Sequence, residues 1–182
     1  MQHMDGIKYQ VNDYVMYGGN GVCVVEDIRA LEGSDPDTDR IYYQLRPLYE
    51  KGSKVYAPVD NLKSTLRALL SEVEIHELMA GFRNIEPIQF KNDKTIDMDY
   101  RSELQSYHGV ALLRVMKTAF LRMKKRQAAN KKNVMVDEKY FNKSKELLFG
   151  ECAVVLQRTK EEVAEMFSGK MVHEEPMENA IA

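Results

Sequence analysis

No tryptophan occurs among the 182 residues, and there are only two cysteines. Cys23 and Cys152 lie far apart in apolar contexts. That is the pattern of two buried reduced thiols and not of a disulfide framework. No apolar run approaches the roughly 18–20 residues of a membrane-spanning helix. Met1-Gln2-His3-Met4-Asp5 offers no hydrophobic stretch for a secretory signal, so the expected setting is the cytoplasm. The chain also has no internal repeat and no low-complexity tract.

Signatures of chemistry are missing too. The four histidines (His3, His76, His108 and His173) have no cysteine or second histidine at ligand spacing. No H-E-x-x-H, C-x-x-C, G-x-S-x-G or Walker-type loop is present. Asp35, Asp37 and Asp39 alternate as calcium ligands do, but the twelve-residue loop with its glycine and terminal glutamate is not there. Gly18-Gly19-Asn20-Gly21 is glycine-rich, yet it joins strand to strand and presents no helix N-terminus to an anion. It reads as a hairpin turn. No acid, base, nucleophile or ligand set converges, so the chain is expected not to be an enzyme. No cofactor, metal or small-molecule substrate is expected either.

Hydrophobic residues make up 44% of the chain and charged ones 30%. That is enough for one core or two small ones. The 28 acids and 26 bases nearly cancel, which argues against charge-driven disorder. The even total conceals an asymmetry. Residues 1–66 carry 7 bases and 10 acids, whereas residues 109–145 carry 11 bases and 2 acids. One strongly cationic surface is therefore expected, a statement about partners and not about fold.

The first third reads as β. Asp13–Tyr17, Val22–Leu31, Ile41–Arg46 and Lys54–Pro58 are strand candidates separated by glycine-rich or polar turns. Ile41, Tyr43 and Leu45 alternate with Tyr42, Gln44 and Arg46 at the period of a half-buried strand. Pro58 cannot donate to a ladder and favours an edge position. Four or five short strands in so few residues suggest a small, strongly bent barrel.

The rest reads as α. Ser71 and Glu74 form a capping box, followed by the stripe Ile75, Leu78, Met79 and Phe82. Further helices are expected at about 97–107 and 110–129, from a cap at Asp137 to Val155, and from a second capping box at Thr159 to Phe167. The polar tail from residue 169 is expected to fray. The fold class is thus α+β with two domains. A β domain spans residues 1–66, an all-α domain 67–168 and a flexible tail 169–182.

The informative segment is Lys117–Lys132. It carries Lys117, Arg122, Lys124, Lys125, Arg126, Lys131 and Lys132 and no acid. Like charges at i,i+4 cost about 0.2–0.5 kcal/mol each. A run that bears this cost suits an anionic partner, and phosphate neutralisation fits it without reading bases.

Several blocks resemble one family. Val11-Asn12-Asp13-Tyr14-Val15-Met16-Tyr17-Gly18-Gly19-Asn20-Gly21-Val22 is similar to the opening of CarD/CdnL-type bacterial transcription regulators. Gly18 stands for the family's usual proline and Asn20 for its usual histidine. Ile41–Leu45, Lys54–Asn61 and Leu66-Arg67 resemble its next blocks. Asp137-Glu138-Lys139 and Ser144–Ala153 resemble its C-terminal helix. The order and spacing of these blocks, across about residues 9–157, carry the resemblance.

The resemblance implies a Tudor/SH3-like β-barrel that binds the RNA polymerase β subunit, followed by a compact helical domain. That helical domain would contact promoter DNA and modulate open-complex stability. It also implies a cytoplasmic, nucleoid-associated protein. Leu31, Lys54, Val55 and Tyr56 are the expected polymerase contacts. Arg101, Arg114, Lys117, Arg122, Lys124, Lys125, Arg126, Lys131, Lys132 and Lys139 are the expected DNA contacts, made mainly to the backbone. Many members wedge a tryptophan into the minor groove. That position falls here on Ile96, beside Asp97 and Asp99. The competing reading is a protein- or RNA-binding adaptor that does not touch promoter DNA.

Overall fold

A computed structural model of the chain describes residues 7–30, 40–60 and 65–171. Two units separate at residue 69, Met1–Leu69 and Leu70–Ala182. In the first unit the alternating segments become β1 (Tyr14–Tyr17), β2 (Val22–Ala30), β3 (Ile41–Pro47), β4 (Val55–Pro58) and β5 (Leu66–Ala68). They form one antiparallel sheet in the order β4-β3-β2-β1-β5. The domain boundary expected at residue 66 falls inside β5, whose register opposite β1 includes Val15↔Ala68.

The register explains the core of this sheet. Val15 lies opposite Cys23, Val25 opposite Leu45, and Tyr43 opposite Ala57. These six side chains are the buried cluster. Cross-strand partners point to the same face, so each pair buries together. The β1–β2 connection is a short 3-10 turn over Gly18–Asn20. Gly18 (φ 49°) and Gly21 (φ 71°) take the left-handed backbone that glycine tolerates. Tyr43 adds a second function to its buried ring. Its hydroxyl accepts hydrogen bonds from the amides of Lys8 (2.8 Å) and Tyr9 (3.3 Å) and so fixes the segment leading into the sheet.

The second unit holds α1 (Glu72–Gly81), α2 (Ile96–Leu104), α3 (Gly109–Ala128), α4 (Met135–Val155) and α5 (Lys160–Met171). Both capping boxes form. The Glu74 amide donates to Ser71 Oγ (3.2 Å) and the Ser71 amide to Glu74 Oε2 (2.7 Å). Thr159 and Glu162 repeat the exchange at α5. Of the stripe read from the sequence, Ile75, Met79 and Phe82 are buried and Leu78 is half-buried. α5 continues through Met171, past the start of the expected tail.

Asp137 is not a helix cap. Val134 occupies that position, and Asp137 lies in the first turn of α4, fully buried. Its carboxylate is taken by a tertiary contact. Oδ1 accepts from the Tyr100 hydroxyl (2.8 Å) and from Arg122 Nε (2.9 Å). Tyr100 in turn stacks on Tyr140 and meets Phe90 edge-on. Three helices therefore converge on one carboxylate.

Replacing Tyr43 by Phe should cost about 1–2 kcal/mol, because the Lys8 and Tyr9 N–H donors lose their acceptor while the ring still fills its site. Urea unfolding reads the loss. Hydrogen exchange should localise it, with Lys8 and Tyr9 losing protection ahead of the strands.

Candidate functional site

In the first unit, β4 pairs with β3 alone among the described residues, which makes it one end of the sheet. The three described candidates divide by the pleat. Lys54 is exposed immediately before β4, Val55 packs on the core cluster, and Tyr56 points outward with 37% of its surface exposed. Leu31 lies outside the described residues.

Tyr56 belongs to a polar cluster that sequence reading missed. Its hydroxyl donates to Gln44 Oε1 (3.5 Å), which also accepts from Arg29 (3.0 Å). Gln44 Nε2 donates to Glu26 (3.1 Å), and Arg46 Nε donates to the same carboxylate (2.7 Å). The register shifts between Val25 and Asp27, so Glu26 is the extra residue of a β-bulge. A bulge of this kind re-aims a side chain, here onto the face that carries Gln44. The hydrogen bond from Gln44, then that from Arg46, holds the Glu26 carboxyl below its ordinary pKa. The adjacent acids Glu26-Asp27, which interrupt the alternation of β2, were the available signal.

In the second unit the ten candidate cations separate into two groups. Lys117 is buried, and its Nζ donates to the carbonyls of Phe82 and Arg83, both at 3.0 Å. These carbonyls belong to the 3-10 turn that ends α1. An ammonium there satisfies acceptors that the helix leaves open and sits at the negative end of its dipole. Arg122 is bound to Asp137 and lies over the Phe90 ring at 4.9 Å. Arg114 pairs with Glu103 (2.8 Å), while Arg101 and Lys139 both pair with Asp97 (3.1 and 3.0 Å). Arg126 Nε donates to the carbonyl of Lys132 (2.7 Å), closing the turn after α3. Lys124 is partly buried. Lys125, Lys131 and Lys132 are exposed, and no ion pair engages them among the described residues.

The structure thus brings Arg126 and Lys132 together at one helix end, buries Lys117 and commits the half-buried Arg122 to Asp137. The signal for the interior pair was helical phase. Lys117 falls four residues from both Leu113 and Leu121, and Arg122 four from Thr118, all buried.

Ile96 opens α2 with only 4% of its surface exposed. The exposed apolar side chain of that turn is Met98, at 62%. Asp97 joins α2 to α4 through Lys139 and through its own carbonyl, which accepts from Tyr140. The Lys139 hydrogen bond holds the Asp97 carboxyl below its ordinary pKa.

Residues 9–70 match the CarD-like/TRCF RID domain family. The first unit is a CarD-like domain. The match runs through all five strands and stops where the helices begin. A CarD-like domain is an RNA polymerase-interacting module, so the match points to that polymerase as a partner. A search among curated proteins finds no match to the chain. Among the described residues, no group of three histidine, cysteine or acidic side chains could hold a metal, and no helix is long and apolar enough to cross a membrane.

Replacing Arg122 by Ala should cost about 3–5 kcal/mol, because the buried Asp137 charge is left without its partner. Lys125→Ala should leave the urea midpoint unchanged. A comparison of the two unfolding curves checks both.

The depressed Asp97 carboxyl contributes stability that is present above its unfolded pKa of about 3.9. That stability is lost as pH falls through the lower folded value. Wild type should therefore converge on an Asp97→Asn variant below about pH 4 and separate from it at neutral pH. Thermal melts across that range test the sign.

Proposed function

We propose that this protein is a non-enzymatic transcription regulator tethered to RNA polymerase. In this reading the CarD-like domain is a Tudor-type module that binds the polymerase β subunit along β4. The helical unit then holds promoter DNA by its backbone and modulates the stability of the open complex. The observation that carries the reading is the family match over residues 9–70, which coincides with a unit whose end strand presents an outward tyrosine. An end strand can accept a strand from a partner, with outward side chains supplying specificity. Tyr56, held by Gln44, is that side chain.

The DNA contact would rest on Lys125, Lys131 and Lys132, with Lys124 and Arg126 beside them. Lys117 and Arg122 act inside the domain. Ile96 would have to leave its core to enter a groove, whereas Met98 is already exposed. The extensive internal pairing of the other cations favours a second reading, an adaptor that binds protein or RNA and leaves promoter DNA alone.

Tyr56→Ala in the full chain should weaken binding to isolated polymerase β subunit about tenfold or more, as loss of an interface tyrosine commonly does. Tyr14→Ala, at a more exposed tyrosine on β1, should change it little. Equal affinities for wild type and Tyr56→Ala would refute β4 as the contact.

Changing Lys125, Lys131 and Lys132 to Gln should lower the salt dependence of promoter-complex binding by roughly 0.9 for each phosphate that is no longer neutralised. An unchanged slope would favour the adaptor.

A further inference from the structure

Leu70, Leu78, Ile85 and Val110 line an open groove of about 380 Å³ between α1 and the start of α3. That volume is in the range of sites that seat a small ligand or one or two large side chains. Gly109 sets the floor. A Cβ there would stand 2.7 Å from Leu78 Cδ1 and 2.9 Å from Leu70 Cδ1, so any larger residue would displace both leucine side chains. Val110, next in line, keeps 47% of its surface exposed.

The rim is acidic. Glu74 and Glu77 border the groove together with His108, and residues 70–82 hold three glutamates with no lysine or arginine. Glu74 is engaged in the capping box with Ser71, while Glu77 is exposed and accepts no hydrogen bond among the described residues. The first turn of α3 adds a partial positive charge of about one half. The exposed Glu77 carboxylate, a full negative charge, outweighs it.

We propose that this groove docks a basic amphipathic segment of a partner protein. An apolar side chain of the leucine, methionine or phenylalanine type would seat between Leu78 and Val110. Lysine or arginine flanking it would meet Glu77. An apolar floor selects the anchor, as in helix-in-groove recognition, and the rim selects the sign of its neighbours. The same carboxylates repel nucleic acid, so this surface is distinct in kind from the cationic end of α3 and independent of the polymerase reading.

The test is an NMR titration of the full chain with three synthetic peptides. All share one leucine spacing, and their flanking residues are all Lys, all Gln or all Glu. The Lys-flanked peptide should bind, shift Leu78, Ile85 and Val110, and outbind the Glu-flanked peptide at least tenfold. Glu77→Lys should reverse that order. Val110→Asp, a change at an exposed position, should abolish binding of all three and serves if the first variant does not fold. Equal binding of the Lys- and Glu-flanked peptides, absence of binding by all three, or shifts centred elsewhere would overturn the proposal. So would a concentration-dependent dimer with shifts in the groove, which would assign it to a second copy of the chain.

Discussion

The helical unit depends on one buried carboxylate. Asp137 lies in α4, takes the Tyr100 hydroxyl from α2 and Arg122 from α3, and has no exposed surface. Hydrophobic contact alone would let three helices slide past one another at small cost, because apolar packing is non-directional. A buried charge with two specific donors removes that freedom: Oδ2 is already without a partner, and any other register would strip Oδ1 of both donors at a cost of several kcal/mol. Such a pair is weak evidence for net stability, and its use here is to select one arrangement. The position of α2 follows from it, and with it the placement of Ile96 inside and Met98 outside.

The two units handle charge in opposite ways. In the CarD-like domain, charged side chains gather on the outer face of the sheet around Gln44, where a bulge turns Glu26 toward Arg46. In the helical unit, six of the ten cations that look available in the sequence are engaged by acceptors within the unit. Lys117 closes the end of α1 from a different helix, and Arg101 and Lys139 share Asp97. Of the ten, Lys125, Lys131 and Lys132 are exposed without an ion pair among the described residues, and they lie where α3 ends. The acidic α1 gives the same unit a patch of opposite sign.

Features that depend on neighbours in sequence were legible. The alternation in β3, both capping boxes and the stripe from Ile75 to Phe82 involve spacings of two to seven residues, which the backbone period converts directly into a face. The strand blocks were likewise enough to suggest the family that the match over residues 9–70 bears out. Features that depend on distant partners were not legible. Lys117 meets Phe82 across 35 residues and Arg122 meets Asp137 across 15, so a count of cations took both for surface charges. Asp137 looked like a cap because aspartate is a common cap, and its burial could be known only from Tyr100. The bulge at Glu26 escaped because a strand read by alternation is assumed to be regular.

Each unit also contains a built-in reporter of its own opening. Cys23 lies in the sheet core and Cys152 in α4, both without exposed surface and both unpaired with another sulfur. Burial pushes each thiol up to about 12, with Glu50 and Glu151 adding to the effect. The thiolate is the reactive form, so neither sulfur is nucleophilic while its surroundings stay closed. Alkylation of one cysteine therefore times the unfolding of the sheet, and alkylation of the other times that of the helices. The chain can lose one half of its structure without concealing the state of the other.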